Sequence, residues 1–234
     1  MEKKKYKLCL EVLRRMKQEG ILDKILLVGS WCVLLYEDYF KGKGLLPPLR
    51  TRDLEFLVSR PPRIGRKTDL GALLKDLGFV EDYKGRKGYI TLNHPDLILE
   101  FLVPARGRES DRPYTIDELG INAQPLRYMD MLAQNPIQML FGDIAVNLPH
   151  PANFALHKLL IAGRRKNREK AEKDRAQAVA ILAALNATAD FKRVRTLYQA
   201  SPRSWQKNIN RELTALGEHD ILALVQGTRK PDGS

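Results

Sequence analysis

Asp53 and Glu55 stand one residue apart inside the run D-L-E-F-L-V of residues 53–58. Alternate residues of a β-strand share a face, so both carboxylates project from one side, while Leu54, Phe56 and Val58 point the other way, into a core. Two carboxylates held this close repel each other unless a cation lies between them. A hard divalent ion, Mg²⁺ or Mn²⁺, answers that need and commonly brings a phosphate-bearing substrate with it. The competing reading is an edge strand with two solvated acids, for which Arg50 and Arg52 would be surface ion-pair partners of small worth.

Two further pieces belong with this pair. Gly29-Ser30 falls between a short apolar run and a helical pattern, where a helix start offers unpaired N–H groups and partial positive charge to a phosphate. Glycine lets a phosphate approach the backbone and the serine hydroxyl can bond a terminal oxygen, although a plain Gly-Ser helix start is common. Glu100 interrupts L-I-L-E-F-L-V, which otherwise reads as a fully buried strand. Burying a lone carboxylate is costly; beside metal ions that cost reverses, and Glu100 becomes a general base for an attacking hydroxyl. Asp96, four residues earlier, is the fallback for this place.

The elements that must position these residues follow from periodicity and turn chemistry. Residues 4–19 read as an amphipathic helix with Tyr6, Leu8, Leu10, Val12, Leu13 and Met16 on its apolar side and Gly20 past its end. A strand at 24–28 precedes Gly29, and a buried helix with Ser30 as N-cap follows. A loop spans 41–48, then the acidic strand at 52–58, a turn at 60–66 and a helix near 68–77. A hairpin is expected at 79–83 and 88–93, a strand at 96–103, an irregular loop over 104–124, and two short strands flanking Phe141-Gly142-Asp143. Beyond Pro149 the pattern is helical only, near 151–163, 168–185, 188–199, 202–216 and 218–226, with a disordered tail from Thr228. The fold class is thus α+β: a mixed sheet with flanking helices over residues 1–148, then a basic helical domain over 149–234.

The 234-residue chain is 44% hydrophobic, which argues against wholesale disorder. No stretch approaches the roughly 20 apolar residues of a membrane span, and the basic N-terminus leads into an amphipathic pattern and not a signal segment, so a cytoplasmic location is expected. Cys9 and Cys32, both in apolar patterns, exclude a disulfide or zinc framework and read as buried thiols. The four histidines show no paired spacing for zinc: His94 and His150 sit beside prolines, and His157 beside Lys158. Trp31 and Trp205 read as core. The net charge is +12, and residues 149–234 carry 16 Lys and Arg against 8 Asp and Glu, the first 148 carrying 24 against 20. That balance suits a polyanion such as RNA, or simply a solvated helical surface. Aromatics do not interleave with the basic clusters, which excludes a stacking platform for single strands.

The order of Gly-Ser helix start, acid-x-acid strand and later acidic strand, in L-L-V-G-S-W-C-V-L-L (26–35), T-R-D-L-E-F-L-V (51–58) and L-I-L-E-F-L-V-P (97–104), resembles the nucleotidyltransferase fold of the polymerase-beta superfamily. The segment P-H-P-A-N-F-A-L-H-K-L-L (149–160), Arg164-Arg165 and K-x-x-K-D-R-A-Q-A (170–178) are similar to minimal nucleotidyltransferase-like proteins that include abortive-infection toxins. The resemblance implies an NTP substrate such as ATP, with its triphosphate on Gly29 and Ser30. It implies Mg²⁺ on Asp53 and Glu55, Glu100 completing one metal site, Lys158 reaching a phosphate or base, and Asp174 orienting it. On residues alone, Lys158 is equally a snorkelling lysine, and Asp174 reads rather as an i, i+4 partner of Lys170.

The chain departs from the family pattern at Glu55 and Glu100, where Asp is usual, at Ala178, near which toxin-like members often carry a further Asp, and in lacking a second glycine beside Ser30. Metal-dependent transfer of a nucleoside monophosphate to an acceptor hydroxyl is the expectation, with RNA, a protein or a small molecule as acceptor and a toxin–antitoxin setting implied. The alternatives are an inactive nucleotide- or RNA-binding module of the same fold, or a helical interaction protein.

Overall fold

The computed structural model describes residues 2–41, 51–107 and 112–229. The expected loop at 41–48 beyond Lys41, Arg50 and the end of the tail lie outside these residues. The chain forms two compact units, Met1–Leu35 with Leu49–Pro149, and a second made of the end of one helix from Tyr36 and the chain from His150 onward.

In the first unit, helix α1 (Glu2–Gln18) buries Cys9, Val12, Leu13 and Met16 completely, the i, i+3, i+4, i+7 stripe of an amphipathic helix. Strand β1 (Ile25–Val28) passes through Gly29-Ser30 into α2 (Trp31–Tyr39), and β2 (Asp53–Val58) is the acidic strand. After α3 (Leu70–Leu74), capped by Asp69 through a 2.9 Å bond from the Ala72 N–H, come β3 (Val80–Lys84), β4 (Tyr89–His94) and β5 (Leu97–Pro104).

The irregular loop expected over 104–124 is instead structured at its far end. Strands β6 (Tyr114–Ile116) and β7 (Ile121–Leu126) pair antiparallel, and β7 adds in parallel to β5. The alternation of Ile121, Ala123 and Pro125 inward was masked by a proline that sits at a sheet margin. Helix α4 (Met129–Leu132) and the hairpin β8 (Ile137–Phe141) and β9 (Ile144–Leu148) complete the unit.

The mixed sheet runs β1-β2-β5-β4-β3, with β7 and β6 off β5. Its inner pair is parallel, β2 with β5, and the others on the main path are antiparallel. On one face Leu54, Phe56, Val58, Leu99 and Val103 are fully buried, and the Phe56 and Phe101 rings stack 5.6 Å apart. Cys9 and Cys32 are buried thiols outside any disulfide.

The second unit contains α5 (Pro151–Ala162), α6 (Arg168–Asn186), α7 (Phe191–Ala200), α8 (Arg203–Ala215) and α9 (His219–Gln226). Helix α5 is buried on nearly every side. Tyr36, from the end of α2, meets Phe154 edge-on at 5.4 Å, and Tyr39 donates to Asp190 and contacts His150 Nε2 at 3.3 Å. Trp31 is core at 1% exposure, whereas Trp205 is only half-buried. Among the described residues, no helix is long and apolar enough to cross a membrane.

Candidate functional site

The sheet register brings the three acids to one face. Glu55 is the direct partner of Glu100, and Asp53 pairs with Ile98 two residues before it. Directly opposed residues of neighbouring strands project from the same side, so Asp53, Glu55 and Glu100 share a surface, each half-buried. That surface is not polar throughout. Val28, Leu57 and Leu102 cluster with Met129 and Leu132 of α4, and Leu26 and Leu126 pack beside them. The acids therefore border an apolar floor, where charge–charge interactions are screened less than in open water.

The Gly29 turn lies against the same acids. Val28 is the register partner of Glu55, and the next residue, Gly29, adopts φ +72°. A Cβ built on it would stand 1.8 Å from Glu55 Oε2. Glycine is required here twice over, by the left-handed backbone and by the carboxylate on its open side. Ser30 is buried at 8% exposure. The carbonyls of Gly29 and Ser30 accept the first bonds of α2, from Cys32 and Val33, both at 3.2 Å.

Glu100 has a partner that the sequence did not suggest. Lys84, at the end of β3, donates to Glu100 Oε1, and the Glu100 side chain is 12% exposed. The strand is thus not uniformly buried, and its carboxylate is neutralised from a hairpin two strands away. Only the pairing of β3 with β4, and of β4 with β5, could have revealed this, and that is not a local signal. Asp96 is no substitute: it lies in the β4–β5 turn, where its N–H meets His94 Nδ1 at 3.0 Å. Arg52 serves the turn as well, donating to the His94 carbonyl at 3.1 Å.

The donor chemistry of Asp53 and Glu55, hard carboxylate oxygens on one face with a third acid adjacent, fits a divalent ion of the Mg²⁺ type. Among the described residues, however, no three Asp, Glu, His or Cys side chains converge into a complete ligand set. Glu100 is committed to Lys84 instead.

Lys158 and Asp174 belong to the helical unit. Lys158 Nζ lies 2.5 Å from Asp174 Oδ1, and Arg165 Nε lies 2.9 Å from Oδ2. This corrects two sequence expectations. Lys158 is buried at 6% and does not snorkel, and Asp174, at 3%, spends both oxygens across the α5–α6 packing and not on Lys170. Burial works against ionisation of Asp174, but the Lys158 ammonium and the Arg165 guanidinium outweigh it and hold the carboxyl below its ordinary value. Next to this trio, His157 Nε2 and Gln177 Oε1 are buried and have no hydrogen-bond partner among the described residues. Burial, with Lys158 adding to it, pushes the His157 pKa down to about 3. Ala178 is fully buried on α6.

Residues 7–201 match a family model described as nucleotidyltransferase. Among curated proteins, none matches. The crystal structure of an antigenic nucleotidyltransferase-like protein from Paracoccidioides brasiliensis is similar in fold, with a TM-score of 0.51 at 12% identity over 93% of this chain and 92% of that one. The solution structure of the antibiotic-resistance factor ANT(2'')-Ia aligns at 11% identity and a TM-score of 0.41, over 98% of this chain and 93% of that one.

Proposed function

The chain belongs to this nucleotidyltransferase family, and from that premise we propose that it transfers a nucleoside monophosphate from an NTP to an acceptor hydroxyl at the Asp53–Glu55–Glu100 face. The observation that carries the reading is the register placing Glu55 opposite Glu100, with Asp53 on the same side and Gly29 beneath the Glu55 carboxylate. Asp53 and Glu55 would hold Mg²⁺ or Mn²⁺, which when bound supplies charge neutralisation for the triphosphate and a lowered pKa for the acceptor hydroxyl. Gly29 and Ser30 bind the triphosphate at the start of α2. Glu100 accepts the proton as the acceptor oxygen bonds to the α-phosphorus and the bond to the β-phosphate breaks, releasing pyrophosphate. Lys84 fixes the Glu100 carboxylate on the site face until the acceptor arrives.

Lys158 and Asp174, for which the family resemblance implies a phosphate or base contact, are bonded to each other within the helical unit. RNA is the favoured acceptor, because the residues from Pro149 onward carry the larger share of the net positive charge, 16 Lys and Arg against 8 Asp and Glu. The proposed setting is the cytoplasm, in a toxin–antitoxin pair.

Transfer of label from α-³²P-NTP to cellular RNA or protein tests the assignment. Asp53→Asn is expected to lower labelling at least about 100-fold while leaving the thermal melt unchanged or raised, since it removes a repulsion. Labelling equal to wild type overturns it. The engagement of Glu100 by Lys84, and the lack of a convergent ligand set among the described residues, favour a second reading, a nucleotide-binding module without catalysis. That reading predicts NTP binding by calorimetry with no label transfer under any divalent ion.

A further inference from the structure

Strand β5 changes partner immediately after Glu100. On one edge it keeps β2 throughout, from Ile98 to Leu102. Along the other edge it pairs with β4 as far as Thr91 opposite Glu100, and then with β7 from Gln124 opposite Leu102. The start of β4 and the end of β7 compete for one edge, so the sheet forks. Asn122 stitches the crotch of the fork: its Oδ1 accepts the Ile90 N–H at 2.8 Å and its amide donates to the Gly88 carbonyl at 3.0 Å.

The fork opens a cavity of about 350 Å³ lined by Arg86, Lys87, Tyr89, Gln124, Pro125 and Leu126. Ligand sites are concave, mostly apolar and carry a few placed polar groups, and this cavity has walls of distinct chemistry. Tyr89 with Pro125 and Leu126 offers an apolar slot for a planar ring. Gln124 can both donate to and accept from a ring edge. Arg86 and Lys87, exposed on the β3–β4 turn, supply cations for a phosphate. Glu100 lies one residue from the fork, two residues from Gln124's partner Leu102 and opposite Thr91, which is two residues from Tyr89.

We propose that this fork cavity is the acceptor subsite and that it takes a nucleoside phosphate, its ring between Tyr89 and Leu126, its phosphate on Arg86 and Lys87, and a sugar hydroxyl toward Glu100. The assignment rests on the nucleotidyl-transfer reading above and gives the acceptor its chemical class. A free nucleotide and the terminal nucleotide of an RNA strand share that chemistry.

Calorimetric titrations in the presence of saturating non-hydrolysable ATP and Mg²⁺ test it, with AMP, adenosine and a short oligoribonucleotide bearing a free 3′ hydroxyl as probes. The paired substitution R86A/K87A is expected to weaken AMP and oligoribonucleotide at least about tenfold and to leave adenosine within about twofold. Gln124→Leu should weaken all three. A stronger wild-type preference for the oligoribonucleotide than for AMP identifies an RNA end as the source, and the reverse identifies a free nucleotide. Equal affinities in wild type and R86A/K87A, or no binding of AMP and oligoribonucleotide by wild type, overturns the subsite. Those results leave ATP binding and the Asp53→Asn outcome untouched, so loss of the subsite is distinguishable from loss of the transferase reading.

Discussion

Gly29 and Glu55 form the tightest steric relation of the site, because a single methyl at position 29 would collide with the Glu55 carboxylate. Gly29→Ala must shift that carboxylate and also hold a left-handed backbone at φ +72°. The expected cost is about 1–3 kcal/mol in urea denaturation, together with loss of label transfer. Retention of both would show that Glu55 needs no fixed place.

The helical unit has its own residue-scale signature in acid. His157 is buried in its neutral form with its pKa near 3, and burial and Arg193 similarly depress His150 to about 4. In the unfolded chain both protonate near pH 6.5. Below that pH the unfolded state binds more protons, and each histidine removes about 1.4 kcal/mol of stability per pH unit until its folded pKa is reached. Asp174 acts lower still: its folded pKa is depressed, so its contribution is complete above about pH 4 and disappears as pH falls through the folded value. Replacing His157 with Leu should therefore shallow the stability–pH slope between about pH 6 and 4 relative to wild type. An unchanged slope refutes the assignment. Lys158→Met, which leaves Asp174 with Arg165 alone, should cost about 3 kcal/mol at neutral pH.

At the scale of elements, the acid-x-acid strand, the Gly-Ser helix start, the amphipathic first helix and the helices beyond Pro149 were all legible, because each is written in local periodicity or turn chemistry. Glu100 stood out as a charge inside an apolar run, and its neighbour Glu55 follows once β2 and β5 are parallel. Lys84 was invisible, since its meeting with Glu100 depends on two antiparallel pairings in succession. So was β7, whose alternation ends in Pro125, and so was Arg165 as the second cation on Asp174. Asn122 shows what such unread residues contribute. Asn122→Ala would leave the Ile90 N–H and the Gly88 carbonyl without their bonds, at an expected cost of about 1–3 kcal/mol. Asn122→Asp, which keeps only the acceptor, should fall between, and equal losses for the two variants would locate the effect elsewhere.

At the scale of the whole molecule, the end of α2 belongs with the helices that follow Pro149. Tyr36 packs on Phe154, and Tyr39 bonds Asp190 and touches His150. A fragment of residues 150–234 lacks those aromatic rings, and it is expected to melt without a sharp cooperative transition by far-UV circular dichroism. The full chain should show one. A fragment that unfolds as sharply as the intact protein would show the tyrosines to be dispensable.

The parallel pairing of β2 with β5 has a consequence in time. Strands joined by so long an intervening chain must close a large loop before any pairing rewards it, and such contacts form late. Glu55 and Glu100 become neighbours only when that closure is finished, so a nascent or half-assembled chain holds its acids apart. The proposed chemistry would thereby be reserved for molecules whose central strands have already zipped together.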